Sequence, residues 1–377
     1  MPKQFAALCV YFQGSIEQFF LIRVSLVVAN LLNKIGYISM SLQDTNFNNY
    51  MTDSFNRTID YVRIAVTDRC NLRCFYCMPA EGVPYEPKLH LLSYEEIARI
   101  LRVLGQLGFQ KVRFTGGEPF LRKDFMQLLE NTAGLDAYKS IHITSNGTLL
   151  QQHIAKLKKL GITKINLSID SLDKERFHKI TRRDDFEKVM QTFYMLIDNG
   201  FQIKLNAVIM KGINTQDIIP LAELAKDYPV DIRFIEEMPF NGGYKENVEM
   251  YVARDIYADL KAHFSTLEKL PSKHGDTASL LSVPGYKGNI GVIAAFSRTF
   301  CNTCNRLRIS AKGEIKNCLY DDGVFNIRDY MRSGVTDEEL ANTFRELVRL
   351  KPKDGFEAEE NRKAPKEAMQ SMSSIGG

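Results

Sequence analysis

An α/β fold built on a parallel sheet is what this sequence predicts, on three observations. Strand-like and helix-like segments alternate six times from Asp60 to about residue 235. The strand-like runs are short and rich in Val, Ile and Phe, and amphipathic stretches separate them. Beyond about residue 270 the pattern changes and strands follow one another without intervening helices. Six such units build either a partial barrel or a doubly wound sheet with helices outside.

The elements follow in order. A strand is expected over 61–67. Ser93, with Glu96 three residues on, makes a capping box for an amphipathic helix to about Leu107. A strand over 111–115 precedes a helix over about 124–132, and a strand over 140–144 precedes one over about 149–160. A strand over 164–169 leads to helical segments over about 173–199. A strand over 201–209 is followed by a helix over about 216–227, and the sixth strand covers 231–235. In the second region, 289–297 and 306–318 read as antiparallel strands, the latter with a turn at Lys312-Gly313. A helix over about 336–349 and a polar tail close the chain. A domain boundary is placed near residue 270, dividing 51–270 from 271–377.

Residues 1–50 differ. The uncharged run from Val24 to Asn33 is far shorter than the roughly 20 residues that span a bilayer, and Arg23 and Lys34 bound it. A secretory signal fits poorly, because the charges and cleavage site are misplaced. The expectation is that Met40 or Met51 begins the protein proper, with the upstream stretch a disordered extension or a gene-model artefact; a targeting segment is the alternative. The Asn-rich stretch 41–57 reads as a linker.

The 377 residues are 45% hydrophobic and 25% charged, which excludes a disordered or fibrous chain. Lys plus Arg is 49 and Asp plus Glu 45, a net charge of +4, so bulk charge makes no case for nucleic acid. The charge is informative by position. Strand alternation puts Lys111, Arg113 and Thr115 on one face, Lys204 and Asn206 on another strand's equivalent face, and Arg63 with Thr67 likewise; Arg306 and Arg308 repeat the spacing. A barrel strand is covered on both faces, so an unpaired inward charge costs several kcal/mol. Inward acids such as Asp170 and Glu236 are fewer than the bases. A cationic cavity for a polyanion, such as a nucleoside triphosphate, fits better than an internal ion-pair network.

Seven cysteines are too few for a disulfide scaffold of this length. Cys70, Cys74 and Cys77 form one triplet, Cys301, Cys304 and Cys318 another, and Cys9 stands alone. Two distant triplets imply two metal sites in a reducing compartment, which points to the cytoplasm. The first triplet follows the first strand directly, at the catalytic end of a barrel. Three thiolates at this spacing can hold a [4Fe–4S] cluster with one iron open; zinc would want a fourth Cys or His, and buried structural thiols are the third reading.

CxxxCxxC after a first strand, with Tyr76 before the last cysteine, resembles the radical S-adenosylmethionine (SAM) superfamily. Thr115-Gly-Gly-Glu-Pro119 after the second strand is similar to that superfamily's glycine-rich segment, which contacts the SAM amino group. The resemblance implies a partial (β/α)6 TIM-type barrel, followed by a C-terminal iron–sulfur domain containing antiparallel strands. Phe300-Cys-Asn-Thr-Cys-Asn-Arg-Leu-Arg308, with Cys318 beyond, closely resembles the C-terminal cluster motif of the GTP 3′,8-cyclase family, which acts first in molybdenum cofactor (molybdopterin) biosynthesis. The chain also ends Ile-Gly-Gly377, as that family does.

The resemblance implies two [4Fe–4S] clusters and a lyase reaction. The first, on Cys70, Cys74 and Cys77, binds SAM, whose cleavage yields a 5′-deoxyadenosyl radical. That radical takes the 3′ hydrogen of GTP, and C3′ attacks C8 to give (8S)-3′,8-cyclo-7,8-dihydroguanosine 5′-triphosphate. The second, on Cys301, Cys304 and Cys318, holds the guanine edge. By motif position, SAM meets Tyr76, Gly117, Glu118, Ser168 and Met238. GTP meets Arg63, Arg113, Thr144, Lys204, Arg306, Leu307 and Arg308, with Lys111 and Arg233 as further candidates. Gly376 and Gly377 would thread into the active site. Implied partners are a reductant such as flavodoxin or ferredoxin and, downstream, cyclic pyranopterin monophosphate synthase. No nucleic acid is expected, and the protein would be a monomer or homodimer. Competing readings are another radical SAM enzyme with an auxiliary cluster, of the peptide-maturase type, and a non-enzymatic iron–sulfur or zinc protein.

Overall fold

A computed structural model describes residues 51–238, 250–272, 275–362 and Met372. The 1–50 extension, Gly376 and Gly377 lie outside the described residues.

Six parallel strands form the middle of one sheet: β1 (Tyr61–Ala65), β2 (Lys111–Thr115), β3 (Ser140–Ser145), β4 (Lys164–Ser168), β5 (Gln202–Ile209) and β6 (Asp231–Glu236). Each is next to its successor, as short right-handed βα connections require. The connecting helices are α1 (Tyr94–Gln106), α2 (Phe125–Ala133), α3 (Ile154–Lys159), the pair α4 (Lys174–Thr181) and α5 (Phe186–Asp198), and α6 (Ile218–Asp227). The predicted capping box is present. The Ser93 hydroxyl accepts from the Glu96 N–H at 3.1 Å, and the Glu96 carboxylate accepts from the Ser93 N–H at 2.7 Å. In α1, Ile97, Ile100, Leu101 and Leu104 are buried, the 3-4 spacing of one helical stripe.

Alternation then decides the two faces of the sheet. Ile64, Phe114, Ile165, Leu205 and Phe234 are fully buried in the hydrophobic core. Each such side chain contributes roughly 1.5–3 kcal/mol by leaving water. The polar residues between them face the other way, into the barrel.

The second region differs from the expected antiparallel pair. Strand β7 (Glu268–Lys269), β8 (Ser279–Ser282) and β9 (Asn289–Ile293) attach to one edge, and β10 (Arg306–Ile309), β11 (Glu314–Lys316) and β12 (Phe325–Asn326) to the other. β9 runs antiparallel to β8 but parallel to β6, and β10 runs antiparallel to β11 but parallel to β1. Hairpins fix the direction within each pair. Residue pattern says nothing about which free edge a strand joins. The 306–318 stretch does turn at Lys312-Gly313, where Gly313 takes a φ of +85°. The chain order of the sheet, β12-β11-β10-β1 through β6-β9-β8-β7, leaves two ends, so the barrel is open. A helix α7 (Ala253–His263) follows β6; α8 (Ile327–Arg332), α9 (Asp337–Arg349) and α10 (Gly355–Glu360) follow β12.

Candidate active site

The inner face of the sheet borders a cavity of about 290 Å³. At its upper end the loop after β1 brings Cys70, Cys74 and Cys77 to the wall together. The loop is held by its own backbone and by the end of α4. Cys77 and Met78 N–H donate to the Cys74 carbonyl at 2.9 and 3.0 Å, and Arg73 and Phe75 N–H donate to Thr181 and Ile180 at 2.9 and 3.1 Å.

The glycine-rich segment locks onto this loop. Gly117 and Glu118 N–H donate to the carbonyls of Thr67 and Arg69 at 2.9 and 2.8 Å. A Cβ at Gly117 would stand 2.1 Å from the Arg69 carbonyl oxygen, far inside contact distance. The glycine is thus required for packing against the cysteine loop itself. Gly117→Ala is expected to displace that loop, and anaerobic reconstitution should show reduced iron uptake with a lowered Tm.

Glu118 does not reach the cavity, contrary to the expectation that it meets an ammonium there. It is completely buried, and its carboxylate accepts from the Ser145 hydroxyl at 3.0 Å and the Asn146 N–H at 2.8 Å. Burial pushes it up to about 7, against these hydrogen bonds. Those partners lie on the β3 loop, too far along the chain for local pattern to reveal.

Burial pushes the Cys70 thiol up to about 11, and burial with Asp170 and the neighbouring thiols pushes Cys74 well above its usual range. Without a cation these thiols stay protonated; cluster irons would reverse that balance. Among the described residues, no three His, Cys, Asp or Glu converge as a single-ion site does. A [4Fe–4S] cluster takes one thiolate per iron, so its three cysteines stand further apart than the ligands of one zinc. The soft donor set and its approach to a single cavity fit such a cluster. The Asn146 amide adds a donor to Cys70 Sγ at 3.7 Å. Tyr76 and Ser168 line the same end, as does Met238. The Tyr76 hydroxyl donates to Asp170 at 2.9 Å.

Lower down, the wall is cationic. Arg63, Lys111, Arg113, Lys204, Arg233 and Arg306 all border the cavity, with Arg308 and Thr144 beside them. Strand register explains the grouping, because Arg63 lies level with both Arg113 and Arg308 across neighbouring strands. The Nε atoms of Arg63, Arg113 and Arg233 are buried without a hydrogen-bond partner, as is the Thr144 hydroxyl. Native buried donors are nearly always satisfied, so such a set marks a place for a ligand. Burial and mutual repulsion weaken the protonated forms of Arg63 and Arg308, to about 10 and about 9. Asp231 offers Arg233 one carboxylate contact at 3.7 Å. Leu307 lies between Arg306 and Arg308. Its side chain is buried in the outer core, since alternation turns it away from both.

The second triplet lies beside this wall, not on it. Phe300, Arg306 and Leu319 border the cavity, while Cys301, Cys304 and Cys318 do not. Arg306 Nε donates to Cys304 Sγ at 3.4 Å. Burial alone would raise Cys304, but Arg306 and Lys351 bring it down to about 5, so one thiolate is already present for a metal. Cys318 is pushed up to about 11 by burial. Gly376 and Gly377 lie beyond the described residues, but Met372 borders the cavity.

Several cavity residues escaped the sequence reading. Tyr61 sits under the Lys111 ammonium, 4.5 Å from its ring centre. Burial would raise its phenol, but Arg113, Arg63 and Lys111 draw it down to about 8. Asn146 and Asn166 also border the cavity. Alternation along β1 and β4 carried the signal for Tyr61 and Asn166; nothing local marked Asn146.

Residues 64–225 match the family described as Radical SAM superfamily, and residues 230–357 match Molybdenum Cofactor Synthesis C. Over 320 residues the chain is 37% identical to the GTP 3′,8-cyclase of Clostridium botulinum, covering 85% of this chain and 98% of that one. The chain belongs to the GTP 3′,8-cyclase family. It is also 39% identical over 312 residues to molybdenum cofactor biosynthesis protein 1 of Drosophila melanogaster, covering 82% of this chain and 55% of that protein. The chain therefore spans about half the length of its animal relatives. Among solved structures it is similar in fold to Streptococcus suis SuiB bound to S-adenosylmethionine, with a TM-score of 0.54 and 18% identity over 73% of this chain and 65% of that one. Membership of the radical SAM superfamily implies a [4Fe–4S] cluster and SAM.

Proposed function

We propose that this chain cyclises GTP to (8S)-3′,8-cyclo-7,8-dihydroguanosine 5′-triphosphate, the opening step of molybdenum cofactor biosynthesis. The observation that carries this reading is the shared cavity: three clustered thiols at one end and a buried wall of partnerless guanidinium nitrogens below them. A cluster on Cys70, Cys74 and Cys77, with one iron open to SAM, would supply the electron for its reductive cleavage. Gly117, Ser168 and Met238 would position SAM beside it, and the bond to Asp170 holds the Tyr76 ring in place.

Arg63, Arg113, Lys204, Arg233 and Lys111 would hold the triphosphate, each charge-assisted bond contributing about 1.5–3 kcal/mol. Thr144, Arg306 and Arg308 would complete the nucleotide site. A second [4Fe–4S] cluster on Cys301, Cys304 and Cys318 would hold the base, with Arg306 bridging it to the cavity. Among the described residues no helix is long and apolar enough to cross a membrane. We place the reaction in the cytoplasm, with flavodoxin or ferredoxin as reductant and cyclic pyranopterin monophosphate synthase taking the product.

The test is anaerobic incubation of reconstituted protein with GTP, SAM and dithionite. The cyclised triphosphate should appear by mass together with 5′-deoxyadenosine. Deoxyadenosine without any GTP-derived product would contradict the reading.

The cavity also predicts a pH dependence. Burial, with Arg233 and Arg113 nearby, lowers Lys204 to about 8, and Tyr61 titrates at about 8. Above that pH the ammonium loses its charge and the phenol gains a negative one, so both changes oppose a polyanion. GTP affinity, measured by calorimetry, should therefore fall as pH rises from about 7 to about 9. Lys204→Met and Tyr61→Phe should each flatten that fall.

A further inference from the structure

A second cavity, of about 220 Å³, lies at the opposite end of the sheet from the cysteine loop. Lys111, Ser140, Lys164 and Gln202 are the first residues of β2, β3, β4 and β5, so their shared pocket is the barrel floor. His142 borders it too, and among the described residues no carboxylate does. Lys111, Asn166 and Lys204 border both cavities, so the floor pocket begins where the main one ends.

Two hydrogen bonds link these side chains. Lys164 Nζ can only donate, and it donates to Ser140 Oγ at 2.8 Å. The Ser140 proton is then free for His142 Nε2, 2.8 Å away. With Ser140 as donor in that contact, Nε2 accepts and the imidazole proton sits on Nδ1. Nδ1 is buried and has no partner. Burial and the surrounding Arg113, Lys111, Lys204 and Lys164 hold His142 neutral, so this donor persists at working pH. Three ammonium groups and an unpartnered imidazole nitrogen, around a pocket with no carboxylate among its described lining residues, call for an oxyanion.

We propose that the floor pocket binds a phosphoryl group, with Lys164 and the His142 Nδ1–H as its donors and Ser140 holding the imidazole tautomer. The group would be either the terminal phosphate of the nucleotide above, which rests on the function proposed for the main cavity, or a free phosphate or pyrophosphate.

Calorimetry on the anaerobically reconstituted full chain tests this with GTP, GMP and inorganic pyrophosphate. If the terminal phosphate enters the floor, Lys164→Met weakens GTP about 10-fold or more and leaves GMP within about twofold. If a free anion occupies it, Lys164→Met leaves both nucleotides unchanged and weakens pyrophosphate by a similar factor. His142→Leu should reproduce the loss, and His142→Gln, which keeps an N–H donor, should restore much of it; damage to the fold would not follow that order. GTP and pyrophosphate affinities both unchanged in Lys164→Met would overturn the proposal. Should the parent protein fail to bind GTP, the main-cavity reading fails alone, and the pyrophosphate arm still decides the floor.

Discussion

Cys74→Ala is expected to abolish SAM cleavage while leaving about half of the bound iron. Cys74 is half-buried in the loop after β1, and its thiol lies within electrostatic reach of both Cys70 and Cys77. Removing it leaves two thiols, too few to hold the cluster. Cys301, Cys304 and Cys318 belong to separate segments around β10, with their own partners Arg306 and Asp321, so a second cluster should persist. Iron analysis and 5′-deoxyadenosine formation read the two consequences separately. A variant that cleaves SAM at the parent rate would remove the first triplet from the mechanism. Loss of all iron would instead show that the two triplets assemble interdependently.

Deletion of Gly376 and Gly377 should be nearly as severe for cyclisation while sparing SAM cleavage. Met372 borders the cavity, and the five residues after it can extend about 16–18 Å. Gly376 and Gly377 are therefore within reach of the arginines of the cavity wall and add no bulk on the way. The truncated protein should keep its iron content and Tm and form deoxyadenosine uncoupled from cyclised product. Parent-level product would make the tail dispensable.

Much of this site is legible because strand geometry is simple. Period-two alternation places Arg63, Lys111, Arg113, Lys204, Arg306 and Arg308 inward, and all six border the cavity. The cysteine spacing and the Gly-Gly-Glu-Pro segment mark the loops after β1 and β2, which the structure packs together. What stayed hidden depends on distant partners. Glu118 is claimed by Ser145 and Asn146, 27 and 28 residues away. The docking of β9 and β10 onto opposite edges depends on which edges six earlier strands leave open. His142 shares its inward face with Ser140 and Thr144, yet one histidine in an alternating strand carries no sign that a lysine from the next strand will bond the serine beside it.

The central claim is that one cavity brings SAM chemistry to the 3′ carbon of GTP. It is tested most directly by turning over GTP deuterated at C3′ with unlabelled SAM and dithionite, and weighing the deoxyadenosine formed. Deuterium should pass to deoxyadenosine in step with the appearance of cyclised triphosphate. Cyclised product accompanied only by unlabelled deoxyadenosine would contradict it.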